Sequence, residues 1–171
     1  MAATNENILF KGSKAAVVGP SLTAGAKLPP FKLTGVDMSD ITNSSFAGKV
    51  LVLSVVPSLD TPVCAVQTKR FNSEAANLSA DVVILTVSLD LPFAQKRWCA
   101  AEGVDRVVTA SDYKYRGFGE TFGVYLRDLG LLTRAIFIAD KAGVVRYVDY
   151  VSDVGQEPNY DAAINQIRSL L

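Results

Sequence analysis

The stretch that decides the fold runs from residue 50 to residue 64 and reads VLVLSVVPSLDTPVC. Its first seven residues are almost all apolar, which predicts a strand buried on both faces, as in the centre of an α/β sheet. Pro57 ends this strand, and a short polar loop leads to Thr61 and Pro62. Threonine is a favoured N-cap and proline suits the first helical position. We therefore expect a helix from Pro62, with the Thr61 hydroxyl accepting a hydrogen bond from its first turn.

Cys64 stands in the first turn of that helix. It falls at the third helical position, among backbone N–H groups that have no partner within the helix and near the positive end of the helix dipole. This position favours the thiolate over the thiol, so we interpret Cys64 as a nucleophile. The alternative is a cysteine that serves only as a small buried apolar residue.

The rest of the chain alternates strands and helices. We expect strands at 50–56, 82–88, 107–110, 135–139 and 144–151, and helices at 62–78, 91–102 and 160–171. We also expect an N-terminal hairpin formed by 8–10 and 15–18, a short strand at 31–33, a polar connection at 37–49 and short helical turns within 112–124.

This order of elements predicts the fold class. A βαβαβ unit followed by a hairpin and a helix indicates an α/β protein of thioredoxin-like fold, with a mixed central sheet flanked by helices and an N-terminal β-hairpin. The chain contains neither repeats nor internal linkers, so we expect a single domain over residues 1–171.

The composition excludes several kinds of function. Seventeen basic residues balance seventeen acidic ones, so nothing suggests nucleic acid or a membrane as a partner. The chain has no histidine, which excludes Ser-His-Asp and Cys-His catalysis and removes the commonest metal ligand. Two cysteines cannot form a cysteine-rich zinc site alone, and we expect neither a metal nor another cofactor. A nucleophile here must be activated by a cation, a helix end or hydrogen bonds.

The N-terminus indicates a cytoplasmic protein. Residues 1–7 lack the basic and apolar regions of a secretory signal, and no apolar run approaches the ~20 residues that span a bilayer. In the cytosol a pair of cysteines is more often catalytic or redox-sensing than structural.

The segment Pro57-x-x-x-Thr61-x-x-Cys64 resembles the active-site signature of the peroxiredoxins. The longer string PSLDTPVC at 57–64, with the QT pair at 67–68 and the FN pair at 71–72, is similar to the bacterial thiol peroxidase subfamily. The similarity continues through SLDLPFAQ at 88–95, Cys99, Arg134 and PNY at 158–160, and so extends over the length of the chain.

The resemblance implies a mechanism and its residues. Cys64 would be the peroxidatic cysteine and Cys99, 35 residues later, the resolving cysteine of an atypical two-cysteine enzyme. Pro57, Thr61 and Arg134 would complete the pocket for hydrogen peroxide or an organic hydroperoxide. Family members act as homodimers and are reduced by thioredoxin. Without the resemblance, Cys99 would more often be a core residue, and Arg134 would normally be a solvated residue before a strand.

The two cysteines are expected on separate helices. A disulfide needs their Cα atoms within about 7 Å, and we expect the reduced fold to hold them farther apart. Each catalytic cycle would then require local unwinding near Cys64 and near Cys99.

Two classes of function stay open at this point. One is a thioredoxin-dependent hydroperoxide reductase, and the other is a non-enzymatic redox sensor or disulfide-relay protein that uses the same cysteines. The chain has no Cys-x-x-Cys motif, which counts against a general oxidoreductase. Residues 125–126 and 129–132 are expected to line either the mouth of the pocket or a dimer face.

Overall fold

The computed structural model of the chain describes residues 4–171. Four helices are present in that range: α1 (Pro62–Ala75), α2 (Pro92–Glu102), α3 (Phe118–Thr121) and α4 (Tyr160–Ser169). The strands are β1 (Leu9–Phe10), β2 (Ser13–Lys14), β3 (Val17–Val18), β4 (Lys32–Gly35), β5 (Asp40–Thr42), β6 (Val50–Val55), β7 (Val82–Ser88), β8 (Val108–Ser111), β9 (Tyr125–Leu126), β10 (Leu131–Leu132), β11 (Ala135–Ala139) and β12 (Val145–Tyr150).

A seven-stranded mixed sheet forms the centre, in the order β12-β11-β6-β7-β8-β4-β5. The three strands β6, β7 and β8 run parallel, whereas β11, β12, β4 and β5 pair antiparallel. All six residues of β6 are buried, as their apolar character predicts. The thioredoxin-like α/β fold expected from the sequence is therefore confirmed.

Strand β6 contributes side chains to both faces of the sheet, because successive residues of a strand point to opposite sides. Leu51, Leu53 and Val55 belong to one apolar cluster, which also contains Phe118 and Phe122 from and beside α3. Val50 and Val52 belong to the cluster on the other face, which is covered by α1 and α4 through Phe71, Ala163 and Ile167.

The N-terminal region differs from the predicted hairpin. Strand β1 pairs with β2, so the hairpin turns at Lys11 and Gly12 as expected, but its second strand is Ser13–Lys14. Val17 and Val18 pair with Leu126 and Tyr125 of β9 instead. Strands of two residues carry too little pattern to specify a partner more than a hundred residues away.

Other boundaries shift by a few residues. The connection at 37–49 contains β5 and a short 3₁₀ turn, Asn43–Phe46, which its polar composition did not reveal. Helix α1 ends at Ala75, three residues before the predicted end, although Leu78 still packs on the apolar cluster beneath it. Helix α2 ends as predicted at Gly103, which adopts the left-handed conformation (φ 66°) that glycine favours.

The sheet brings three functional segments to one edge. The carboxyl ends of the parallel strands β6 and β7 lie side by side and lead into α1 and α2. Strand β11 runs antiparallel to β6, with Ala135 opposite Val55, so Arg134 enters at the same edge. Within residues 4–171, no helix has both the length and the apolar character needed to cross a membrane.

Candidate active site

Helix α1 places Cys64 where the sequence predicted it. Thr61 is the N-cap residue, with extended backbone angles (φ −130°, ψ 149°), and Pro62 takes the first helical position. Cys64 is therefore the third helical residue, and its backbone N–H belongs to the turn that lacks intrahelical acceptors. The neighbouring Thr68 hydroxyl donates to the Cys64 carbonyl at 2.9 Å, which ties the first turn to the second.

The Thr61 hydroxyl does not cap the helix as predicted. Among the described residues it accepts no hydrogen bond from the first turn of α1, and it donates to the Ser58 carbonyl at 2.8 Å instead. The reason is the tight loop from Ser58 to Thr61, which brings that carbonyl within reach of the hydroxyl. Since the hydroxyl proton is engaged there, the oxygen lone pairs are available to a ligand that donates a proton.

The sulfur of Cys64 is fully buried beside a cation. Arg134 Nη2 donates to Cys64 Sγ across 3.3 Å, and Cys64 packs in an apolar cluster with Val56, Leu59 and Trp98. The guanidinium therefore places a positive charge beside the sulfur, near the positive end of the helix dipole. The structure thus places Arg134, which the family resemblance assigns to the pocket, beside Cys64.

Three partners hold the Arg134 guanidinium, which is only 2 % exposed. Nε donates to the Val154 carbonyl at 3.0 Å, and Nη1 donates to Gln67 Oε1 at 2.8 Å. Gln67 is itself fixed, because its Nε2 donates to Ser54 Oγ at 2.8 Å. Gln67 and Ser54 are both fully buried, and neither was assigned a role from the sequence. Gln67 follows Cys64 by three residues on one helix face, and Ser54 interrupts an apolar strand; these were the available signals.

A pocket of about 400 Å³ leads to this guanidinium. Arg134, Thr61 and the buried Pro57 all line it, whereas the fully buried Cys64 is not one of its lining residues. Its remaining walls are mostly carbon, from Phe10, Pro62, Val63, Leu131 and Val154. Residues 129–132 were expected to line either the mouth of the pocket or a dimer face, and Leu131 lines the pocket. Leu126 and Leu132 are instead core residues.

Cys99 lies apart from this pocket on α2. Its side chain is half-buried, and its sulfur points to Thr109 of β8, with Sγ 4.0 Å from the hydroxyl oxygen. Burial raises the pKa of the Cys99 thiol, and the Thr109 hydroxyl offsets part of this rise. Both Cys64 and Cys99 are free thiols, and the structure does not join them.

Comparisons with known proteins identify the family. The redoxin family model matches residues 23–164. A thiol peroxidase of Oceanobacillus iheyensis is 47% identical over 161 residues, which cover 94% of this chain and 98% of that protein. This chain is a peroxiredoxin of the thiol peroxidase group.

Other relatives agree with this placement of the peroxiredoxin. The thiol peroxidase of Bacillus subtilis is 44% identical over 164 residues, covering 96% of this chain and 98% of the relative. The crystal structure of a peroxiredoxin-like protein from Aquifex aeolicus matches with a TM-score of 0.93 at 39% identity, over 99% of both chains. The peroxiredoxin is thus a thiol-specific peroxidase, as predicted, and the alternative of a non-enzymatic redox sensor is not favoured.

Proposed function

We propose that this peroxiredoxin reduces hydrogen peroxide and organic hydroperoxides through Cys64, that Cys99 resolves the oxidised sulfur, and that thioredoxin is the reductant. The observation that carries the proposal is the 3.3 Å contact from Arg134 Nη2 to Cys64 Sγ at the start of α1. It pairs a sulfur in the first turn of a helix with a fixed cation that lines a pocket.

The first step is attack of the Cys64 thiolate on one peroxide oxygen. The S–O bond forms as the O–O bond breaks, and the departing oxygen takes up a proton to leave as water or an alcohol. The sulfur is oxidised to a sulfenic acid while the peroxide is reduced.

The donors around the sulfur contribute more to this step than ionisation does. A free thiol is already a few per cent thiolate at pH 7, so complete ionisation raises the rate by at most some tens-fold. Placement of the peroxide and stabilisation of charge on the departing oxygen supply the larger part. Arg134 and the free backbone N–H groups near Cys64 are the donors, and the Thr61 oxygen accepts from the peroxide. Pro57 shields the sulfur from water.

The second step joins the two cysteines. The Cys99 sulfur attacks the sulfenic sulfur of Cys64, the S–S bond forms, and the S–O bond breaks as the oxygen leaves in water. The dithiol of thioredoxin then reduces the disulfide and restores both thiols. Because the two sulfurs have different surroundings in the reduced fold, we expect the Cys64 and Cys99 segments to unwind locally before they meet.

The carbon-rich pocket supports a role for organic hydroperoxides beside hydrogen peroxide. Phe10, Leu131 and Val154 offer apolar contact to an alkyl or aryl group, while the guanidinium of Arg134 lines the same pocket.

We also propose that the enzyme works as a homodimer in the cytoplasm. The expectation of a single domain stays a prediction.

The test follows NADPH consumption in the presence of thioredoxin, thioredoxin reductase and a hydroperoxide. Cys64→Ser should abolish turnover, since the remaining thiol, Cys99, lies at Thr109 without the Arg134 contact. Cys99→Ser should retain one round of peroxide reduction but lose recycling by thioredoxin. Full turnover in Cys99→Ser would exclude Cys99 from the mechanism, and flat traces of the unaltered protein with both hydrogen peroxide and cumene hydroperoxide would exclude these substrates.

A further inference from the structure

Asp90 connects the segments that precede the two cysteines. It lies between β7 and α2, and its carboxylate accepts three hydrogen bonds. Ser58 Oγ donates to Oδ1 at 2.7 Å, whereas Leu59 N and Ser88 Oγ both donate to Oδ2 at 2.8 Å. Ser58 and Leu59 belong to the loop that leads into Cys64, so one carboxylate holds that loop against the end of β7.

The same network reaches the helix of Cys99. Gln95, which is fully buried on α2, donates through Nε2 to Ser88 Oγ at 3.0 Å and to the Ala110 carbonyl of β8 at 2.9 Å. Gln95 precedes Cys99 by four residues, so the two lie on one face of the helix. A continuous set of hydrogen bonds therefore joins the Cys64 loop to the Cys99 helix through Asp90 and Ser88.

Leu59 links this network to the reactive sulfur. Its backbone N–H is held by Asp90, and its side chain packs against Cys64 together with Val56 and Trp98. As long as Asp90 holds the Leu59 backbone, the Leu59 side chain covers one side of the sulfur. When that hydrogen bond breaks, the cover is free to move away.

We propose that Asp90 is a positioning residue that sets the balance between the two steps of the cycle. Its hydrogen bonds hold the loop closed around Cys64 while peroxide reacts, and they must break before Cys99 can reach the sulfenic sulfur. This proposal rests on the resolving role of Cys99 in the proposed function.

An asparagine at position 90 has nearly the same shape as aspartate but a different set of hydrogen-bonding groups. Its side chain has a single acceptor oxygen and no charge, so the three donors can no longer all be satisfied as they are by a carboxylate. Hydrogen bonds to charged groups are the stronger kind, and losing one shifts the equilibrium toward the open loop by about tenfold or more. Asp90→Asn should therefore speed disulfide formation and slow the reaction with peroxide.

Trp98, the single tryptophan of the chain, provides the signal for a stopped-flow experiment because it packs on the Cys64 cluster. In the unaltered protein we expect a phase whose rate rises with peroxide concentration, then a slower phase that is independent of it. The second phase should be absent in Cys99→Ser. In Asp90→Asn it should be about tenfold faster, and mass spectrometry at high peroxide should find less sulfinic acid on Cys64, because disulfide formation competes with further oxidation.

Two further variants keep the result interpretable. Asp140→Asn is the matched control, since this carboxylate also accepts backbone N–H groups, from Ala142 and Val144, but at the distant β11–β12 turn; both phases should be unchanged. Ser58→Ala removes one of the three bonds to Asp90 and should show a smaller acceleration even if Asp90→Asn fails to fold.

Three results would overturn the proposal. One is a second phase with the same rate in Asp90→Asn, or in Ser58→Ala where the first variant does not fold. Another is an equal acceleration in Asp140→Asn, which would indicate a general loss of stability. The third is failure of the unaltered protein to form the Cys64–Cys99 disulfide, which removes the proposed function of Cys99 as well and is seen before any Asp90 variant is made.

Discussion

At the scale of single residues, every side-chain nitrogen of Arg134 donates a hydrogen bond. Each of its three side-chain nitrogens donates to a different partner: the Val154 carbonyl, Gln67 Oε1 and Cys64 Sγ. The planar guanidinium fixes the angles between these donors, so two of the contacts define the direction of the third. The cation is thereby aimed at the sulfur without depending on a flexible chain.

Replacing Arg134 with lysine tests the importance of this geometry. The charge remains, but a single ammonium on a flexible chain cannot occupy all three positions of the fork. We expect Arg134→Lys to lower the second-order rate constant of Cys64 with hydroperoxide by about 100-fold, as loss of a directed donor at a reacting oxygen does. Arg146→Lys is the control, because that exposed side chain pairs with Asp140 away from the pocket. A rate constant for Arg134→Lys close to that of Arg146→Lys would mean that charge alone suffices.

The Cys99 thiol gives a prediction of pH dependence. Burial raises its pKa, so at neutral pH the folded protein holds less Cys99 thiolate than the unfolded chain does. In a Cys64→Ser background, alkylation by iodoacetamide should be slower in the folded protein, with a pH midpoint above that measured in urea. A folded-state midpoint equal to or below the urea value would contradict this effect of burial.

The sequence predicts the candidate site residues better than the residues that hold them in place by hydrogen bonds. Cys64 was placed by its distance from Pro62, and Arg134 by a family resemblance. The direction of the Thr61 hydroxyl was mispredicted because it depends on the path of the Ser58–Thr61 loop. Gln67 and Asp90 were not given roles, since a polar residue that tertiary packing buries fully or in part looks the same in sequence as one on the surface.

At the scale of elements, the N-terminal segment is fastened to the turn after α3. Asn5 Nδ2 donates to the carbonyls of Gly19 and Gly123, at 3.1 and 2.8 Å. Gly123 has a positive φ of 62°, and a Cβ added to it would lie 2.3 Å from the Pro20 carbonyl oxygen. This contact of two distant segments requires the absence of a side chain.

Gly123→Ala should therefore lower the free energy of unfolding by about 3 kcal/mol or more, through backbone strain and the clash with Pro20. Gly143→Ala is the matched control, because its φ of 76° is also positive but an added Cβ would meet nothing within 4 Å. Backbone strain alone should lower the free energy of unfolding of Gly143→Ala by about 1 kcal/mol. Urea unfolding measures the free energy of unfolding of both variants. An equal decrease in the two would show that the clash with Pro20 adds nothing to the backbone strain.

Long elements were predicted well and short ones poorly, for a physical reason. Buried strands such as β6 and β7 carry runs of six or seven residues whose apolar character predicts both strand and burial. Strand β3 has two residues, and its pairing with β9 depends on how the completed fold brings distant segments together. The choice between pocket mouth and dimer face for residues 125–126 and 129–132 could be narrowed only once the residues lining the pocket were known.

At the scale of the whole molecule, the central sheet is shared by both apolar clusters. Alternate residues of β6 enter opposite clusters, so neither cluster keeps its packing if the sheet is lost. We expect the chain to unfold in a single cooperative transition, as a single domain does. In urea, Trp98 fluorescence and far-ultraviolet circular dichroism should have the same midpoint. Separate midpoints would indicate parts that unfold independently and would contradict the single domain predicted for residues 1–171.

The full burial of the Cys64 sulfur has a consequence for the order of events in the cell. Because the side chain has no exposed surface, a protein cannot touch the sulfur in the reduced state. In the proposed cycle the hydroperoxide therefore reacts first, and a protein reductant gains access to the sulfur only after oxidation and local unwinding. Between encounters, the same enclosure keeps a reactive sulfur from being consumed by the many other electrophiles of its surroundings.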